Sequence, residues 1–243
     1  MLIPQKRDTV HRAWLLRLLS AIADDRVLME HLRFKGGTCA ALRDLLDRFS
    51  VDLDFDLLDE KKIDMVREHL EQIFKDLGLT IKDQSKTVPQ YFLRYENSIG
   101  SRNTIALDIT VPPPKANTYE IVRLQAIDRF VPCQTVPTMV ANKLVTPIDR
   151  FRKFKTVAGR DLYDIHHFLL QGLPWNEAVI LERTGETAAV FLRSLHAFIE
   201  RRVTQTVIDQ DINTLLPLPE FQRVRKILKA ETLRLLEEAA ALQ

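Results

Sequence analysis

A glycine pair followed by acids spaced between large apolar residues limits what this chain can become more than any other feature. Phe34-Lys35-Gly36-Gly37-Thr38 precedes Arg48-Phe49-Ser50-Val51-Asp52-Leu53-Asp54-Phe55. Glycines allow a backbone to approach a phosphate closely, because no side chain stands in the way. The acidic stretch alternates, which predicts a strand over about 50–57. Asp52 and Asp54 then share one side, while Val51, Leu53 and Phe55 point into the core. Like charges that close repel unless a cation sits between them, and Mg²⁺ is the usual oxygen-ligated ion beside a triphosphate. The stretch reads as a metal–nucleotide site.

A chain of 243 residues that is 46% apolar can bury a core in one large domain or two smaller ones. Lys and Arg total 35 against 33 for Asp and Glu, so a preference for nucleic acid would have to come from a local patch. Cys39 and Cys133 give neither a disulfide framework nor metal-ligand spacing, as expected in a reducing cytosol. The apolar run 13–19 is interrupted by Arg17 and followed by Asp24-Asp25-Arg26, too short and too charged for a signal peptide or membrane span. The expectation is a soluble cytoplasmic protein.

Along the chain, apolar spacing predicts a helix over 9–32 that is broken near Asp24-Asp25, then a strand at 32–34. Thr38 is a good N-cap for a helix over 39–47. Ile63, Val66, Leu70, Ile73 and Phe74 form one stripe of a helix over 61–77, which Gly78 ends. The period then changes to two, with strands at 79–81, 90–95 and 104–111. Residues 119–136 have no clean pattern. From Pro137 onward the chain reads as helical, with a basic run from Arg150 to Arg160 in a loop and a single final helix over 221–242. The result is an α+β chain. A mixed sheet flanked by helices forms the domain 1–134, and a mainly α-helical domain covers 135–243.

In the strand 104–111, Ile105, Leu107, Ile109 and Val111 face one way, and Ala106, Asp108 and Thr110 face the other. A lone carboxylate among small neighbours on a sheet face opens onto a cleft rather than into packed core. His166 and His167 are adjacent on a helix and point apart, so they cannot share a metal there.

Gly36 and Gly37, then Asp52 and Asp54, then the distant Asp108 resemble the nucleotidyltransferase fold of the DNA polymerase β type, with a slightly longer spacer than usual. Within that superfamily, Phe-Lys-Gly-Gly-Thr, Arg-Phe-Ser-x-Asp-Leu-Asp-Phe, Lys143 and Arg160-Asp161-Leu162-Tyr163-Asp164 resemble the AbiEii/AbiGii toxin family, which includes the MenT-type toxins. The resemblance spans about 32–168. It implies a toxin of a toxin–antitoxin pair that moves a nucleoside monophosphate from an NTP, in several members onto the 3′ end of tRNA. Asp52 and Asp54 would hold the ion that bridges the triphosphate. Asp108 would join them on a second Mg²⁺ and help deprotonate the attacking hydroxyl, in two-metal catalysis. The nucleotide set is then Gly36, Gly37, Thr38, Ser50 and Lys143, with Asp161 and Asp164 sharing one helix face. Arg150, Arg152, Lys153 and Lys155 would contact RNA phosphates. The cognate antitoxin and an RNA acceptor are the implied partners.

Two other functions use the same residues. One is nucleotide transfer to a protein hydroxyl or a small molecule, since only the acceptor pocket would differ. The other is a non-enzymatic nucleotide-binding partner. The clustered like charges argue against the second, because a scaffold has no need of them.

Overall fold

The computed structural model describes residues 3, 5–6, 8–98 and 100–242. The chain divides into two compact units, one of Met1–Pro113 with Tyr119–Gln134, the other of Pro114–Thr118 with Thr135–Gln243.

The first unit starts with α1 (Asp8–Asp24), whose Leu15, Leu18, Leu19 and Ile22 are fully buried. Each such side chain is worth about 1.5–3 kcal/mol of burial. Asp25 breaks the helix where the sequence predicts, and its carboxylate caps α2 (Arg26–His31) by accepting from the Leu28 N–H. Then come β1 (Leu32–Lys35), α3 (Gly36–Leu42), β2 (Leu53–Leu57), α4 (Ile63–Asp76), β3 (Thr80–Gln84), β4 (Gln90–Arg94), β5 (Thr104–Thr110), β6 (Tyr119–Leu124) and β7 (Arg129–Gln134). The strands form one mixed sheet in the order β3-β4-β5-β2-β1-β7-β6. β2 runs parallel to β5 and β1 parallel to β7, and the other pairs are antiparallel. Phe34, Phe55, Tyr91, Leu107 and Val131 are buried on the apolar face, where α1 packs on β5 and β7 and α4 on β3.

Several elements depart from the sequence expectation. The acidic strand begins at Leu53 rather than at Ser50. The backbone carbonyls of Val51 and Asp52 accept hydrogen bonds from the side chains of His11 and Thr38, so the chain enters the ladder only after them. The helix at the glycines starts at Gly36 with Lys35 as its N-cap, so Thr38 lies inside it and does not cap. The patternless stretch is the β6–β7 hairpin. Its legibility suffers because Pro132 interrupts β7 and because Ile121 on β6 is largely exposed.

The second unit is helical: α5 (Val136–Phe154), α6 (Gly159–Leu170), α7 (Glu177–Thr184), α8 (Ala188–Arg202), α9 (Gln205–Ile212), α10 (Leu218–Val224) and α11 (Leu228–Ala241). Residues 114–118 are tied to it by side-chain caps. Glu182 accepts from the N–H groups of Lys115 and Ala116 at 2.8 and 2.7 Å, and these two bonds hold its carboxyl below the usual carboxylate range. The expected basic loop is corrected by α5, which runs through Arg150, Arg152 and Lys153 and ends on Lys155 in the left-handed conformation. Helical spacing of Met139, Val140, Leu144 and Val145 continues far enough to carry the charged residues along. The single terminal helix is in fact α10 and α11. Among the described residues no helix is long and apolar enough to cross a membrane.

Candidate active site

The glycine turn is shaped by what it touches. Gly36 has φ +78°, and a Cβ there would lie 2.1 Å from Asp54 Oδ2. A Cβ on Gly37 would meet Ser50 Oγ at 2.9 Å and Arg48 Nη2 at 3.0 Å. Only glycines permit this approach of turn to acidic strand. The segment before β2 is clamped from two sides. Thr38 Oγ1 donates to the Asp52 carbonyl at 2.5 Å, and His11 Nε2 donates to the Val51 carbonyl at 2.9 Å. His11 is fully buried, and burial lowers its pKa from 6.5 to about 4, so the ring is neutral.

Sheet register decides which acids meet. Asp54 pairs with Asp108 across the parallel β2–β5 ladder, and Asp56 pairs with Thr110. Neighbouring strands lie about 4.8 Å apart, so the Asp54 and Asp108 carboxylates rise side by side from one face. Gln90, opposite Asp108 on β4, donates from Nε2 to Asp108 Oδ1 at 2.5 Å and orients it. Lys35 is the cross-strand neighbour of Asp54, yet its ammonium reaches one step along to Asp56 and Thr110, each at 2.6 Å. Asp56 is fully buried and also accepts from Gln134 at 2.7 Å and Tyr119 at 3.0 Å.

Asp54 and Asp108 thus stand together, half-buried, on the face opposite the helices, and Asp52 sits at the entry to β2. Their donors are all oxygens, two of them carboxylates held in register, which suits a hard divalent ion such as Mg²⁺. Among the described residues, no three His, Cys, Asp or Glu side chains already converge as a metal cage. Of the three carboxylates expected to share the ion, Asp54 and Asp108 are in register, while Asp52 lies upstream of β2 and does not converge with them into a trio.

The remaining predicted residues lie in the second unit. Lys143 on α5 pairs with the fully buried Asp164 on α6 at 2.6 Å. Arg150 pairs at 2.7 Å with the buried Asp161. Burial opposes the Arg150 charge, but attraction to Asp161 outweighs it and the guanidinium pKa rises. The two acids on α6 therefore each anchor one cation of α5, and Arg150 is engaged in this brace rather than presented to solvent. Arg152, Lys153 and Lys155 are exposed near Phe151, over which the Arg202 guanidinium also lies at 4.7 Å.

Thr38 and Ser50 are buried; Thr38 turns its hydroxyl to the backbone, and Ser50 packs against Gly37. Sequence reasoning missed Lys35, His11, Gln90 and Arg48. Lys35 stands inside the glycine motif and could have been weighed there. His11 and Gln90 carry no local signal, since their partners lie 40 and 18 residues away.

The sequence profile of the AbiEii nucleotidyl transferase toxins, of type IV toxin–antitoxin systems, matches residues 17–235. No curated protein matches the chain. Among solved structures, a candidate nucleotidyltransferase from H. pylori superposes with a TM-score of 0.60 at 18% identity, covering 98% of this chain and 99% of its own. JHP933 from Helicobacter pylori gives 0.59 at 18% identity, with 97% and 94% covered. The nucleotidyltransferase toxin MenT4 from Mycobacterium tuberculosis gives 0.51 at 19% identity, with 97% and 93% covered. At these identities the structures establish the shared fold.

Proposed function

Because this chain belongs to the AbiEii family of nucleotidyltransferase toxins, we propose that it transfers a nucleoside monophosphate from an NTP to RNA, at the 3′ end of tRNA, and so blocks translation in the cytoplasm until its antitoxin intervenes. The observation that carries this reading is the register of Asp54 against Asp108 beside the Gly36 turn.

Asp52, Asp54 and Asp108 would hold Mg²⁺ in a two-ion site. The ions would screen the triphosphate and lower the pKa of the attacking hydroxyl. The backbone at Gly36 and Gly37 lets the phosphates approach the acidic strand, and Ser50 and Thr38 keep that backbone in place. Asp108, oriented by Gln90, receives the proton of the acceptor hydroxyl. The freed oxygen bonds to the α-phosphorus, the bond to the bridging oxygen breaks, and pyrophosphate leaves. Lys143, steered by Asp164, supplies positive charge for phosphate, and Asp161 serves the nucleotide set through Arg150. Arg152, Lys153 and Lys155 take RNA phosphates, which makes affinity fall with salt.

The test is to incubate the protein with Mg²⁺, total RNA, a protein mixture and each of four radiolabelled NTPs in turn. Label in a tRNA band is the expected result. Label in a protein band moves the assignment to a protein acceptor. Nucleotide binding without transfer to any acceptor leaves a nucleotide-binding partner.

A further inference from the structure

Gln90 orients Asp108, and the next residue on the same side of β4 is Phe92. Its cross-strand partner is Ala106, two positions from Asp108 on the same face of β5. The neighbours Tyr91 and Leu93 are buried in the core, whereas Phe92, which alternates with them onto the acid-bearing side, is 39% exposed. Among the described residues no other aromatic ring or cation packs against it. Ala106, with only a methyl group, leaves room beside the ring. Arg94, the next outward residue of β4, is exposed and paired with Thr104.

We propose that Phe92 is a stacking platform for the terminal base of the acceptor strand, beside the Asp108 carboxylate that takes the proton from that nucleotide's hydroxyl. The inference rests on the RNA-acceptor reading above and adds a base-binding subsite to it. Diagonal neighbours across an antiparallel pair lie about 7–8 Å apart. That spacing suits a nucleoside whose 3′-hydroxyl is at Asp108 and whose base lies over Phe92. An aromatic ring accepts any base, because every base has a π-face. Arg94 continues the same line and offers a cation to the preceding phosphate. Asp83, which faces Phe92 from β3, disfavours a phosphate on that side and so directs the strand along β4.

The experiment compares wild type with Phe92→Ala, Phe92→Leu and Phe92→Trp, using total tRNA, Mg²⁺ and the preferred labelled NTP. Melting temperatures verify folding, and a fluorescent single-stranded RNA ten-mer reports binding by anisotropy without turnover. For Phe92→Ala we expect the KM for RNA to rise about ten-fold, with the KM for NTP unchanged, as for loss of one stacked base. Phe92→Leu should behave like Phe92→Ala, and Phe92→Trp should keep wild-type affinity. If RNA is labelled but Phe92→Ala leaves both RNA KM and ten-mer affinity intact, the subsite is refuted and the RNA reading stands. A rise in NTP KM alone would place the ring on the donor side and also overturn it. If wild type labels only protein, the RNA reading fails and this subsite fails with it.

Discussion

Asp54 and Asp56 lie two residues apart on one strand and point from one face, yet they have opposite surroundings. Asp56 is closed in by Lys35, Tyr119 and Gln134 and has no exposed surface. Asp54 is half-buried with another carboxylate, Asp108, directly beside it. One acid is enclosed by Lys35, Tyr119 and Gln134. The other stands in register with a second carboxylate, and a cation bound there would relieve the repulsion between the two. A single strand thus carries one acid tied to Lys35, Tyr119 and Gln134 and one that we propose takes part in transfer.

The sharpest way to break this contrast is to exchange the two roles. Asp54→Asn should lower transfer by about a thousand-fold, in line with loss of one electrostatic group at a reacting phosphate. It should leave the melting temperature near that of wild type, because asparagine keeps the size and the half-buried position of the side chain. A melting temperature that collapses would make Asp54 structural and erase the distinction. Asp56→Asn should do the reverse, costing about 3–5 kcal/mol in denaturant unfolding by stranding the Lys35 ammonium. Normal stability in that variant would mean the buried pair contributes nothing.

His11 extends the comparison to the clamp before β2. It is neutral when folded, with its pKa lowered from 6.5 to about 4, so the unfolded chain takes up the proton first. Its contribution is present above pH 6.5 and is lost as pH falls toward 4, by roughly 3 kcal/mol in all. Unfolding across that window, compared between wild type and His11→Gln, should show a shallower loss in the variant. Equal slopes would show that the ring titrates freely. Thr38→Val removes the hydroxyl from the Asp52 carbonyl and should cost about 1 kcal/mol. It should reduce transfer more than binding of NTP, because it loosens the acids and not the glycines. The smallest effect belongs to the exposed cations of α5. Lys153→Ala should shift the slope of log affinity against log salt by about 0.7 for single-stranded RNA, and no change would remove Lys153 from the RNA surface.

Much of this was legible in residue order. The glycine pair, the alternation around Asp54 and the isolated Asp108 between small residues all report local rules, namely backbone freedom and strand period. The break at Asp25 was readable as well, because a capping acid acts within one turn. Less legible was the fate of each acid. Asp52, Asp54 and Asp56 alternate identically, and what separates them is Thr38, Lys35, Tyr119 and Gln134 arriving from other elements. The helical continuation through Arg150 was hidden because a run of charges resembles a loop, while its anchor Asp161 is eleven residues away.

Order along the chain was enough to place a glycine turn ahead of an acidic strand and Asp108 on a later strand, since those features follow from steric and periodic constraints on neighbouring residues. Only the tertiary structure set Asp54 beside Asp108, buried Asp56 on Lys35 and left Phe92 exposed near the pair. Strand register and packing bring together residues far apart in sequence, and a carboxylate's charge balance depends on what stands next to it in space.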